Sequence, residues 1–339
     1  MATMKQVAER AGVSTSTVSH VINNTRVVSD DVRERVLAVI AEMRYIPSAV
    51  ARSLKNDRTH TIGMMVPNNS NPYFAELIQG IEDAAFKVGY NVILCNAYDD
   101  PKKQAAYLRL LIEKRIDGLI LVASGADEEL ARLLAHQQTP IVLVDREVAG
   151  VEADFIEADH ETGGYLATRY LIELGHREIA CISGPRDLPP SLDRVNGYRR
   201  ALEEAGLDSP MEYLVYSNFT SEGGYRAFEQ LLKLAKRPTA VFAGNDLMAI
   251  GGLCAASEAG LRIPADLSVI GYDDIALASY STPRLSTMAQ PKYEMGQRIV
   301  SVLLERIMGG QLPLRRELLQ TRLMARQSTA APQVGRKPR

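Results

Sequence analysis

The sequence predicts an α/β protein in which a small all-helical head precedes two doubly wound parallel-sheet lobes. Three observations carry that expectation. The first sixty residues show helical periodicity and no strand pattern. From Thr61 onward, β-branched and apolar runs alternate with amphipathic stretches, the pattern of parallel strands covered on both faces. The alternation comes in two series, and 339 residues are too many for one core.

In the head, Thr3 can cap a helix with Val7, Ala8 and Ala11 on one face, stopped by Gly12. Ser14 caps a second helix, TSTVSHVIN, striped by Val18, Val21 and Ile22. A third starts at Ser29-Asp30-Asp31 and runs to about Met43, burying Val32, Val36, Leu37 and Ile40. Helix, glycine-containing turn, helix is the helix-turn-helix arrangement, whose second helix can enter a major groove. Thr15, Ser16, Ser19 and His20 on that helix are short donors and acceptors suited to base edges. Asn23, Asn24 and Arg26 follow, suited to phosphates. The alternative is a plain three-helix bundle whose Ser and Thr residues only cap. Against it, Ser and Thr are poor helix formers, so an exposed face filled with them suggests a use.

In YIPSAVARSLK, Pro47 ends extended chain, Ser48 can cap, and AVARSL makes one or two helical turns. So short a helix is marginal alone in water and needs a twin or DNA to fold against. Leu54, beside Arg52 and Lys55, has the composition of a minor-groove wedge. An ordinary linker helix is the alternative.

In the body, IGMMVP, NVILCN, GLILVAS and PIVLVDR form the first strand series, with helices such as FAELIQGIEDAAFKVG and QAAYLRLLIEKR between them. EIACISG, YLVYSNF, TAVFAGN and LSVIGYD form the second. The helix KYEMGQRIVSVLLERIMGG and the strand LLQTRLMARQS are expected to return to the first lobe. Ligands of open α/β sheets bind beyond the carboxyl ends of the strands. Those ends carry Asn68, Asn69 and Asn71, then Asp145-Arg146, Asn245-Asp246 and Asp273-Asp274, with Gln290-Pro291 at the crossing between lobes. Such carboxylates, amides and arginines make a pocket rich in bidentate hydrogen-bonding groups. The doublet Tyr73-Phe74 opens the first of these helices, and adjacent helical residues point about 100° apart. One ring can line a cleft while the other borders it.

Catalysis finds little support. His60, His136, His160 and His176 fall at strand starts or helix ends, with no clustering for a metal. PNNSNP is not a glycine-rich phosphate loop, and no Ser or Cys sits in a nucleophile elbow. Glu161-Thr162-Gly163-Gly164 reads as a close helix–sheet contact rather than an anion site. No cofactor or metal is expected. Cys95, Cys181 and Cys254 lie in apolar runs and read as reduced core thiols. The net charge of −2 is uneven: residues 1–58 carry nine Lys/Arg against six Asp/Glu, the rest thirty against thirty-five. A basic head on an acidic body fits a polyanion partner for the head. With neither a secretory signal nor a bilayer-length apolar run, a cytoplasmic protein without membrane contact is expected.

From MKQVAERAGVSTSTVSHVIN through PSAVARSLK, the head resembles that of the lactose-repressor family of bacterial transcription regulators, without a gap. The body resembles the family's effector domain and, more distantly, periplasmic sugar-binding proteins, through TIGMMV, AVFAGNDLMAIG, SVIGYDDI and TPRLSTMAQP. The resemblance implies base readout by Thr15, Ser16 and His20, hinge insertion by Leu54, and a nucleoid-associated homodimer on a palindromic operator. A dimer rather than a tetramer is expected, because no leucine heptad follows Arg326. The pocket resembles that of ribose-binding proteins through Asn71, Tyr73, Phe74, Asp145, Arg146, Arg194, Phe219, Asn245, Asp273 and Gln290. The implied function is repression of a ribose-utilisation operon, relieved by D-ribose. The alternative is a purine corepressor, since the purine repressor is a near relative whose pocket shares the aromatics, an arginine and the aspartate. The expected domains are a helix-turn-helix at 1–46, a hinge at 47–58, an effector domain at 59–327 and a disordered tail at 328–339. Within the effector domain the first lobe takes about 59–159 and 292–327, and the second about 160–291.

Overall fold

The computed structural model describes residues 2–45, 58–122, 128–135, 137–309 and 312–333. Contacts divide the chain into two units, Met1–Thr59 and His60–Arg339.

The head unit holds α1 (Met4–Ala11), α2 (Thr15–Asn23) and α3 (Asp30–Glu42). Thr3 and Gln6 form a capping box at α1, and Gly12 closes it in the left-handed conformation at φ 66°. Ser14 caps α2 by accepting from the Thr17 amide. Val7, Ala8, Ala11, Val18, Val21, Val36, Val39 and Tyr45 form its core. Leu37, expected inside, is exposed, and Val39 is buried in its place. The buried stripe of α3 follows i, i+4, i+7, which turns position 37 to the other side. The proposed hinge helix, with Arg52, Leu54 and Lys55, lies outside the described residues.

The body begins with β1 (Thr61–Val66), α4 (Pro72–Lys87), β2 (Asn91–Asn96), α5 (Pro101–Glu113), β3 (Gly118–Leu121), α6 (Glu128–Ala135), β4 (Ile141–Val144) and β5 (Asp154–Ala158). It continues with α7 (His160–Glu173), β6 (Ile179–Ser183), α8 (Pro189–Glu204), β7 (Leu214–Tyr216), α9 (Ser221–Leu232), β8 (Ala240–Ala243), α10 (Asp246–Glu258), β9 (Ser268–Asp273) and β10 (Ser286–Ala289). Then come α11 (Lys292–Ile307), β11 (Arg316–Leu319) and β12 (Arg322–Met324). Among the described residues the strands form two sheets, ordered β11-β5-β4-β3-β1-β2 and β12-β10-β9-β8-β6-β7. All pairings are parallel except β10 with β12. Alternate residues feed opposite cores: Met64, Ile120 and Val144 pack with α4 and α11, while Met65, Leu121 and Leu143 pack with α5 and α6. The second sheet is divided in the same way.

Three expectations need correction. The run LLQTRLMARQS is not one first-lobe strand. Leu319 pairs with Ala158 in the first sheet, and Arg322 pairs with Ala289 in the second. The chain therefore crosses between lobes three times, near residues 159, 290 and 320, and the chain beyond Thr321 belongs to the second lobe. The segment expected as a disordered tail starts by packing: Ser328 is fully buried and donates to the Val269 carbonyl at 2.6 Å, and the Ala330 carbonyl meets His176 Nε2 at 2.9 Å. Its small hydroxyl residues supply hydrogen bonds to the start of β9, which holds it down. Cys254 is exposed on α10, unlike the buried Cys95 and Cys181. The short strands β5 and β10 lie outside the expected series, because neither DFIEA nor STMA is a long apolar run.

Helix pairs flank each sheet at close range. A Cβ on Gly164 (α7) would meet the Arg194 carbonyl of α8 at 2.2 Å, and one on Gly197 (α8) would meet the Glu161 carbonyl of α7 at 2.0 Å. Gly163 abuts Tyr272 of β9, so this segment is indeed a close packing contact. The return of the chain to the first lobe is pinned by Arg306, which donates to both oxygens of the buried Asp154 at 2.7 and 2.8 Å. Burial pushes the Asp154 carboxyl up, but hydrogen bonds from Arg306 and the Arg315 amide outweigh it and hold the value below the usual range.

Replacing Arg306 with Met strands that carboxylate and should cost about 3 kcal/mol in chemical denaturation at neutral pH. Because the folded pKa is depressed, the pair's contribution is present above about pH 4 and lost as pH falls further. The variant's deficit relative to wild type should therefore shrink in acid.

Candidate functional site

Two regions gather the expected functional side chains. In the head, Thr15 and Ser16 are exposed on the first turn of α2, with Ser19 and His20 half-buried one turn on. Asn23 and Arg26 are exposed beyond it. Ser16 Oγ lies 2.7 Å from Ser14 Oγ, His20 Nδ1 2.9 Å from Thr25 Oγ1, and Asn23 Nδ2 donates to the Ser19 carbonyl at 2.9 Å. This polar face offers short hydrogen-bonding groups.

In the body, one cleft of about 120 Å³ lies between the carboxyl ends of the two sheets, and all ten expected ligand residues line it. Asn71 caps α4, its Oδ1 accepting from the Tyr73 amide at 3.1 Å, and Pro72 takes the first helical position. Tyr73 and Phe74 are both buried, with ring centroids 5.0 Å apart and planes at 79°. The Tyr73 hydroxyl donates to Asp145 Oδ2 at 2.9 Å. Asp145 and Arg146 follow β4 but do not pair with each other, since Arg146 reaches Asp99 at 3.2 Å.

From the second lobe, Arg194 donates to the Gly244 carbonyl at 2.5 Å and stands 3.9 Å from Asp273. Its guanidinium lies 4.0 Å above the Tyr272 ring and 5.7 Å from that of Phe219. Asn245 caps α10 through the Met248 amide and donates to the Phe219 carbonyl, so much of its amide serves the turn itself. Asp273 ends β9 at φ 110°, a strained conformation for a residue with a Cβ. Gln290 Nε2 donates to Asp273 Oδ1 at 2.7 Å, and its Oε1 is buried without a partner among the described residues.

Three residues of the network were not expected. His160 is buried, with Nε2 3.3 Å from Asp145 Oδ1 and Nδ1 3.2 Å from Arg194 Nη2. Its position at a helix start gave no hint of this; only the α7–α8 contact brings it to Arg194. Lys292 donates to the carbonyls of Asp273 and Asp274 and pairs with Glu76 at 3.4 Å. Tyr272 supplies the face under Arg194. A larger groove of about 460 Å³ lies on the second lobe between Arg186, Arg199, Met211 and Tyr216. Its arginines are exposed, and it holds none of the buried charged groups that mark the cleft.

The charges of the cleft are set by one another. Burial raises Asp273 to about 6, even though Arg194, Lys292 and Gln290 all favour the carboxylate. Burial also pushes Asp145 up, but His160, Tyr73 and the Ala158 amide outweigh it and hold it below the usual range. His160 lies below its ordinary value through burial first and Arg194 second. Burial, then Asp145, pushes the Tyr73 phenol well up.

A helix-turn-helix head on a two-lobed, cleft-bearing body defines a DNA-binding regulator controlled by a small molecule. Residues 3–48 match the model of bacterial regulatory proteins of the lacI family, and residues 168–329 match the periplasmic binding protein-like domain. The chain is 46% identical over 332 residues to the HTH-type transcriptional repressor PurR of Proteus mirabilis (strain HI4320), covering 97% of each. Among solved structures it resembles the lac repressor dimer bound to operator and the anti-inducer ONPF: TM-score 0.88, 30% identity, 97% of this chain and 99% of that one. It also resembles a LacI family transcriptional regulator from Enterococcus faecium with bound ribose: TM-score 0.73, 34% identity, 80% of this chain and 100% of that one. The chain belongs to the lacI family of bacterial regulatory proteins. It is a DNA-binding transcriptional repressor and not an enzyme.

Replacing Arg194 with Met removes the nearest cation from Asp273, whose titration should move further up. Carboxyl ¹³C NMR across pH measures this, and an unchanged midpoint would exclude Arg194 as its counter-charge. The folded state holds this proton longer than the unfolded chain does. Asp273's contribution to stability is therefore greatest in acid and lost as pH rises through about 6.

Proposed function

We propose that the cleft takes a small neutral polyol, D-ribose in the first instance, and that the ligand releases the repressor from a palindromic operator bound as a homodimer. The observation that carries this reading is the density of hydrogen-bonding groups around so small a cavity. Asp145, Arg146, Arg194, Asp273 and Gln290 come from both lobes, and Gln290 Oε1 lacks a donor among the described residues. A sugar hydroxyl donates and accepts at once, so it can meet carboxylate, guanidinium and amide together. Two arginines against three aspartates, with Lys292 beside Asp273, leave no large net charge and suit a neutral ligand. The E. faecium regulator solved with ribose adds support at 34% identity.

A purine corepressor is the second reading, and the comparison over the whole chain favours it: the repressors named PurR are 46% identical across nearly all of the sequence. The choice of ligand, however, rests on a few side chains of the cleft rather than on identity over the whole chain. In the cleft those few are mostly charged or amide groups, with Tyr73 and Phe74 edge to face and Phe219 the third ring. For this reason we place the sugar first.

In the head, Thr15, Ser16, Ser19 and His20 would read bases, with Asn23 and Arg26 on the backbone and Leu54 and Lys55 acting through the hinge. Such a regulator works in the bacterial cytoplasm, where the DNA is. Ligand and operator prefer different states of one molecule, and their coupling is reciprocal. Inverting a 99:1 preference takes about 5.5 kcal/mol of differential affinity.

Calorimetric titration with ribose, other pentoses, fructose and hypoxanthine should give heat with ribose; heat with hypoxanthine alone would hand the cleft to the purine. Replacing Asp273 with Ala should abolish that heat while operator binding survives. Removing residues 1–58 should do the reverse, and loss of ligand binding in the truncated chain would refute this division of labour.

A further inference from the structure

The polar chain through the cleft turns on one imidazole. Tyr73 donates to Asp145, Asp145 meets His160 Nε2 at 3.3 Å, His160 Nδ1 meets Arg194 Nη2 at 3.2 Å, and Arg194 donates to the Gly244 carbonyl. Asp145 belongs to the first lobe and Arg194 to the second, and His160 sits at one of the three crossings between them. A guanidinium has only donors, so Nδ1 must accept. An ionised carboxylate has only acceptors, so Nε2 must carry the proton. Both requirements select the same neutral tautomer.

We propose that His160, as the Nε2–H tautomer, is a positioning residue that ties Asp145 to Arg194 across the cleft, so that the cleft takes its effector only while this imidazole is neutral. This rests on the cleft being the effector site. The groups facing the ring are Asp145 after β4, Arg194 and Asp193 on α8, and the Tyr272 hydroxyl on β9, 3.4 Å from Nδ1. The two aspartates favour a second proton, while Arg194 and burial oppose it. A proton on Nδ1 would aim one cationic donor at another at 3.2 Å, and one of them must leave. With Gly164 and Gly197 seating α7 against α8 at backbone distance, the ring cannot withdraw by sliding the helix.

The test begins on ligand-free protein with ¹⁵N-labelled histidine, where the signal missing from His160→Gln assigns residue 160 among five histidines. The expected result at neutral pH is the Nε2–H tautomer; an Nδ1–H or doubly protonated ring would overturn the proposal. Calorimetry with D-ribose and with hypoxanthine comes next, from about pH 7.5 to about pH 4.5, because burial and Arg194 hold His160 below the usual imidazole range. Wild type should lose about tenfold in affinity over that interval beyond any loss in His160→Gln, whose amide still donates to one side and accepts from the other. Asp273 titrates in the same range in both proteins, so the difference between them belongs to His160. His160→Phe should bind at least about tenfold more weakly than His160→Gln, with operator binding and thermal unfolding checking that each variant folds. Identical pH profiles for wild type and His160→Gln would refute the proposal. Heat from neither probe would refute the effector class instead, leaving the tautomer result to decide whether His160 makes the bridge.

Discussion

Charged groups taken out of water must find their counterparts inside, and around the cleft several of those counterparts come from the other lobe. Asp145 stands at the end of a first-lobe strand, and the imidazole it needs opens the first helix of the second lobe. Lys292, at the start of α11, reaches Glu76 on α4 and the carbonyls of Asp273 and Asp274 at the end of β9. Burying an ionised side chain without a partner costs several kcal/mol, so neither half of the cleft is at rest without the other. The relative placement of the lobes is thus tied to the electrostatics of the space between them. That is the property a ligand-operated regulator requires.

What lets those groups meet is the rigidity of each lobe. Strand residues alternate between two cores, and helix pairs close over the sheets at backbone contact through small residues such as Gly164 and Gly197. Arg194 is placed by that contact: its own carbonyl lies under Gly164, so its guanidinium emerges beside the α7 N-terminus. The three crossings near residues 159, 290 and 320 are the places where the chain passes from one lobe to the other. Two of them, through His160 and Gln290, carry side chains that touch the polar network directly.

The strand-end rule located the cleft, because residues at the close of apolar runs must lie at sheet edges whatever the tertiary detail. It could not find His160, whose neighbours in sequence are polar and helical and whose partners are 15 and 34 residues away. Nor could it show that Asn245 would be largely occupied in capping α10, or that Asp145 and Arg146 would turn to different partners. The return of the chain escapes sequence reasoning on related grounds. LLQTRLM has the composition of one strand, and only the pairing of Leu319 with Ala158 and of Arg322 with Ala289 divides it between two sheets.

By itself, the sequence determined the helical head, the alternation that builds two doubly covered sheets, the polar residues at the strand ends and the family to which such a chain belongs. These features arise from local periodicity and from capping and turn chemistry, which are written in short windows. Only the tertiary structure decided which polar groups face one another, which proton His160 must carry, where the chain crosses between lobes and how small the cleft is. Those are distances between segments far apart in the chain. They are set by the close packing of glycine-bearing helices and by the need to neutralise buried charge, neither of which leaves a periodic mark in the sequence.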